Sequence, residues 1–89
     1  MDLDSLNSAA QEAIEELWNE HRIPFKPHAG KVTSEGSYYT VHFYDSRLNA
    51  VIVPRNDRQP FKELVRAAVL DRMDRMYDPA MQGRGFGAK

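Results

Sequence analysis

The chain contains no cysteine, which excludes disulfides and thiolate metal sites and removes any argument about redox compartment. No apolar run approaches the ~18 residues of a membrane span. The start of the chain carries Asp2 and Asp4 in place of the basic and apolar regions of a secretory signal. These absences predict a soluble, cytoplasmic protein without disulfides. Residues 1–20 also lack Lys and Arg altogether, while holding six acids.

The patterns of catalysis are missing as well. There is no serine in a G-x-S-x-G elbow and no glycine-rich phosphate loop between a strand and a helix. His21, His28 and His42 never stand three or four residues apart, so they lack the spacing by which one helix presents two ligands to zinc. Two of them have ordinary structural readings: His21 at a helix end, where the dipole favours a cation, and His42 in mid-strand. Glu12, Glu15, Glu16 and Glu20 read as a solvated acidic face. No metal, no cofactor and no enzymatic activity is expected.

What is present is organised around Ser37–Pro54. Tyr38-Tyr39-Thr40-Val41-His42-Phe43-Tyr44 is an unbroken β-branched and aromatic run, and Asp45-Ser46-Arg47-Leu48-Asn49 is a polar connection. Ala50-Val51-Ile52-Val53 returns and is stopped by Pro54. Alternation puts Tyr39, Val41 and Phe43 on a buried face with Val51 and Val53. Tyr38, Thr40, His42, Tyr44 and Ile52 fall on the other face. That second face offers hydroxyls, rings and one aliphatic side chain rather than charges, so it is either covered or used for binding.

Helical patterns flank this hairpin. Leu3, Leu6, Ala10, Ala13, Ile14, Leu17 and Trp18 recur at steps of three and four, predicting a helix from about Asp4 to His21. Asp4 or Ser5 is its expected cap, and Pro24 marks its end. Phe25–Val32 reads at most as an edge strand because of Pro27 and Gly30, and Thr33-Ser34-Glu35-Gly36 as a turn. Pro60 suits the first turn of a second helix running to about Tyr77, with Phe61, Leu64, Val65, Ala68, Arg72 and Met76 on one stripe. Ala67, Val69, Leu70 and Met73 make its middle apolar nearly all round, which implies burial on more than one side or an oligomer interface.

The expected architecture is therefore α+β, in the order α-β-β-β-α. A small three-stranded antiparallel sheet carries two helices on one face. Residues 1–78 form one domain, and residues 79–89, with glycines at 83, 85 and 87, a flexible tail. Gly83-Arg84-Gly85-Phe86-Gly87 resembles a short RGG-type segment, read here as a disordered end.

A second signal is basic. Residues 22–66 hold eight Lys or Arg against four acids, and Arg58, Lys62 and Arg66 follow each other at steps of four behind Arg55. A helix start with added cations is a natural phosphate site. The element order over residues 4–77 is similar to that of the double-stranded-RNA-binding domain. The residues differ: that family opens its second helix with a lysine-rich cluster, where this chain has Asp57-Arg58-Gln59-Pro60-Phe61-Lys62-Glu63. It also uses a histidine in the loop that is here Thr33-Ser34-Glu35-Gly36. The resemblance implies topology and transfers no binding residues.

A chain of 89 residues hides only about 60–65% of its unfolded surface. The expected function is thus a small non-enzymatic protein-interaction module, self-associating as a homodimer or serving as an accessory subunit. Its candidate contact residues are Tyr38, His42, Tyr44, Ile52, Val69, Leu70 and Met73. The alternative is nucleic-acid binding through Arg55, Arg58, Lys62 and Arg66.

Overall fold

The structure is a computed structural model in which residues 2–45 and 47–77 are described. The side chains of Met76 and Tyr77, and the expected tail at 79–89 with its Gly-Arg-Gly-Phe-Gly run, lie outside the described residues. Helix α1 (Leu3–Asn19) is followed by strands β1 (Ala29–Ser34), β2 (Tyr38–Phe43) and β3 (Ala50–Pro54), and then helix α2 (Phe61–Tyr77). This is the expected α-β-β-β-α order of an α+β fold.

α1 forms because its apolar residues make one stripe, and Leu6, Ala10, Ala13, Ile14 and Leu17 are buried. The two residues at the ends of that stripe depart from expectation: Leu3 and Trp18 are 42% and 40% exposed. The cap is Asp2, not Asp4 or Ser5. Its Oδ1 accepts from the Ser5 amide at 2.7 Å, and that bond holds the Asp2 carboxyl below its ordinary value. The helix ends sooner than Pro24 alone implies. His21 takes the left-handed conformation at φ 60°, its amide donates to the Trp18 carbonyl, and the Arg22 amide donates to that of Leu17. This pair of bonds is a Schellman ending with histidine in the seat usually held by glycine.

The strands lie in the order β1-β2-β3, both pairs antiparallel. Tyr39 pairs with Val53 and Val41 with both Val51 and Val32, which puts the inward side chains of all three strands in line. β1 is an edge strand, as expected, but starts and ends later than Phe25–Val32: Thr33 and Ser34 belong to it rather than to the turn. The turn itself is Gly36-Ser37. Gly36 takes φ 83° there, a conformation open to glycine at little cost. A register shift between Ala29 and Lys31 marks a bulge at Gly30.

Both helices pack on one sheet face, α1 over β1 and α2 over β3, and they also pack against each other. The core runs continuously through all five elements. Leu48, in the connection read as polar, is fully buried and belongs to that core. The apolar breadth of α2 has the same explanation. Val65, Val69 and Met73 are buried because α2 meets both the sheet and α1. Among the described residues, no helix is long and apolar enough to cross a membrane.

Candidate interaction surface

With both helices on one side, none of the described residues covers the other side of the sheet. Lys31 pairs with His42, Thr33 with Thr40, Thr40 with Ile52 and Tyr38 with Pro54, so these side chains share the outer face. Tyr44, just beyond β2, continues it. Its amide donates to the His28 carbonyl at 2.8 Å and its ring stacks on His28 with centroids 6.3 Å apart. The ring also lies across Gly30, where an added Cβ would meet Tyr44 Cζ at 3.0 Å. Glycine at the bulge is what lets the tyrosine lie down.

This face holds Tyr44 and Ile52, the two most exposed large hydrophobic side chains among the described residues. Tyr44 is 77% exposed, Ile52 64% and Tyr38 37%. His42 is half-buried, with Nε2 3.4 Å from Thr33 Oγ1, and Thr33 Oγ1 donates to Glu35 Oε2 at 3.0 Å. The four sheet residues named as contact candidates, Tyr38, His42, Tyr44 and Ile52, are therefore brought together. The three helical candidates are not. Val69 and Met73 are core residues, and Leu70 is half-buried against that core. A helix buried on two sides needs apolar residues on both, and that requirement mimics an interface in the sequence.

The basic line behaves differently from a phosphate site. Lys62 Nζ lies 2.6 Å from Glu16 Oε2, and Arg66 Nη1 lies 3.0 Å from Glu16 Oε1. Arg66 also holds Glu20 through two bonds of 2.9 Å. The hydrogen bond from Lys62 holds the Glu16 carboxyl below its ordinary value, and that from Arg66 does the same for Glu20. In return Glu16 raises Lys62, and Glu20 raises Arg66. With Glu12 Oε1 also 4.0 Å from Lys62 Nζ, three of the four acids on the face of α1 expected to be solvated are partners of the basic line. The two faces lock α1 to α2.

Arg55 is engaged elsewhere. Its guanidinium donates to the Gly36 carbonyl, Ser34 Oγ and, at 2.7 Å, Tyr39 Oη, while lying 4.2 Å from the Tyr39 ring centroid. It clamps the β1–β2 turn to the end of β3. Arg58 is exposed and stands apart in the link before α2. No family model, curated protein or solved structure matches this chain. What the site does must be argued from its own geometry.

Two features of that geometry escaped the sequence. Arg72, half-buried on α2, donates from Nη1 to the Ala50 carbonyl at 3.0 Å, and beside it a groove of about 490 Å³ runs along β3. Its walls include Tyr38, Thr40 and Ile52 of the sheet and Ala68, Asp71 and Arg75 of α2. A cation on the apolar stripe of a helix was the available signal. Among the described residues, no group of three or more histidine and carboxylate side chains is placed to hold a metal ion.

Proposed function

We propose that this chain is a small non-enzymatic interaction module that self-associates at the β3 side of its sheet. The observation that carries the reading is the outer strand β3, where Ile52 is 64% exposed beside Tyr38 at 37%. A ring and an aliphatic side chain at that exposure favour removal from water by about 25 cal/mol per Å².

Charge favours a second copy as the occupant. Lys31 and Glu35, whose Oε2 accepts from Thr33 Oγ1, lie on this face and offset each other's charge, so two copies meet along it without net repulsion. Two of the four cations of the basic line are spent between the helices, where Glu16 and Glu20 pair with Lys62 and Arg66. A polyanion finds little to hold there, since phosphate contacts supply most non-specific nucleic-acid affinity.

Static light scattering across the micromolar range tests the reading. A mass rising from monomer to dimer with concentration supports it. A monomer at every concentration overturns it.

A further inference from the structure

We infer that the self-association seam is the free edge of β3, paired antiparallel with the same strand of a second copy and centred on Ile52. This rests on the self-association proposed above and adds the edge, the register and the symmetry. β3 is an outer strand of the sheet, and an outer strand presents backbone donors and acceptors that another strand can complete.

The pattern of those groups is specific. The Phe43 amide donates to the Asn49 carbonyl at 2.7 Å, and the Arg55 amide to that of Ser37 at 3.2 Å. Ladder bonds alternate along an antiparallel strand, so Asn49, Val51, Val53 and Arg55 face β2. Ala50, Ile52 and Pro54 face the open edge. Proline, which has no donor, sits where β2 asks nothing of it.

A two-fold axis through Ile52 pairs Ile52 with Ile52 of the second copy, and Ala50 with Pro54 of the second copy. The Ile52 residues exchange both bonds, and each Ala50 amide finds a Pro54 carbonyl. The Ala50 carbonyl alone faces a proline and receives nothing from the neighbouring strand. It is the carbonyl that Arg72 already supplies, at 3.0 Å. Other registers fit worse. Setting Ile52 opposite Pro54 leaves the Ile52 carbonyl without a donor, and setting it opposite Ala50 competes with Arg72.

The side chains agree with this register. The two Ile52 residues become neighbours on the outer face, each flanked by the Thr40 with which it pairs. On the inner side, α2 runs antiparallel to its mate. Asp71 and Arg75, which ion-pair at 3.2 Å and line the groove with Ala68, meet the opposite charges of the second copy. The result is a continuous six-stranded sheet with one joined outer face.

The absence of cysteine allows single nitroxide labels at Ile52→Cys and, separately, Lys31→Cys. Both positions are exposed and point away from the core. In the proposed seam the Ile52 Cα atoms are about 5.5 Å apart, so the continuous-wave spectrum of that variant broadens strongly. Lys31 stands five strand spacings across the sheet and four residues along it from its mate, about 28 Å in all, which pulsed dipolar spectroscopy reads directly. Amide exchange of the unlabelled chain is the companion measurement, with protection at Ile52 and Ala50 rising with concentration. A dimer lacking Ile52 broadening and Ile52 protection, or one with the Lys31 pair much closer than that, overturns the seam and leaves self-association standing. A monomer throughout overturns both.

Discussion

Arg66 grips Glu20 through two hydrogen bonds, Nη1 to Oε2 and Nη2 to Oε1, each 2.9 Å. With Lys62 on Glu16, this makes an electrostatic seam between the helices, and its pH dependence follows from the shifts. Glu16 and Glu20 lie below their ordinary 4.5. Their contribution to stability is present above that value and fades as pH falls through the folded values, because the unfolded chain takes up the protons first. Lys62 and Arg66 are raised, so their side of the linkage is intact until strongly alkaline pH. Arg66→Ala should lower stability in denaturant unfolding at pH 7, with the loss shrinking near pH 3. An equal loss at both would show that Arg66 acts by packing alone.

His21 at φ 60° occupies a conformation that glycine adopts without strain. His21→Gly should therefore raise stability by about 1 kcal/mol, the left-handed cost for a residue with a Cβ. Thermal unfolding measures it, and a destabilised variant would mean the imidazole makes a compensating contact.

Leu48 is the plug of the β2–β3 connection, with no solvent exposure. Leu48→Ala should cost about 2–5 kcal/mol, as for a core leucine, despite lying in a loop whose neighbours Arg47 and Asn49 are exposed. Urea unfolding gives the value. A loss typical of loop positions, about 0.5 kcal/mol or less, would contradict its place in the core.

At Gly30 an added Cβ meets the far end of an exposed ring, Tyr44 Cζ, at 3.0 Å and the His42 carbonyl at 3.3 Å. Gly30→Ala should swing Tyr44 off His28 with a stability change below about 1 kcal/mol. The ring resonances of Tyr44 and His28 report it, and unchanged shifts would contradict the stacking.

Fluorescence anisotropy with labelled double-stranded RNA should stay flat for the folded chain at moderate salt, since Lys62 and Arg66 are already neutralised. Binding that weakens steeply with salt, and with Arg58→Glu, would restore the basic line as a contact site.

The sheet was legible because alternation is a local property. Val41 and Phe43 point inward, and Tyr38 and His42 outward, as their parity requires. Helix periodicity likewise marked the buried residues of α1, but only to within a residue at the edges of the stripe, where Leu3 and Trp18 stand exposed. Periodicity tells which face a residue occupies and not which element covers it. Glu16 and Lys62 are 46 positions apart, so their bond could not be read from either helix alone. For the same reason Val69 and Met73 resembled an interface when they were facing α1 and the sheet. Leu48, a single apolar residue in a polar connection, has no period to reveal it.

The central claim is that the outer side of the sheet, at β3, is where two copies meet. A dilution series followed by ¹H–¹⁵N correlation spectra tests it most directly. Concentration-dependent shifts should appear at Tyr38, Thr40, Ala50 and Ile52 and be absent at Glu12 and Glu15 on the far side of α1. Spectra that do not change with concentration, or changes confined to α1, would contradict the account.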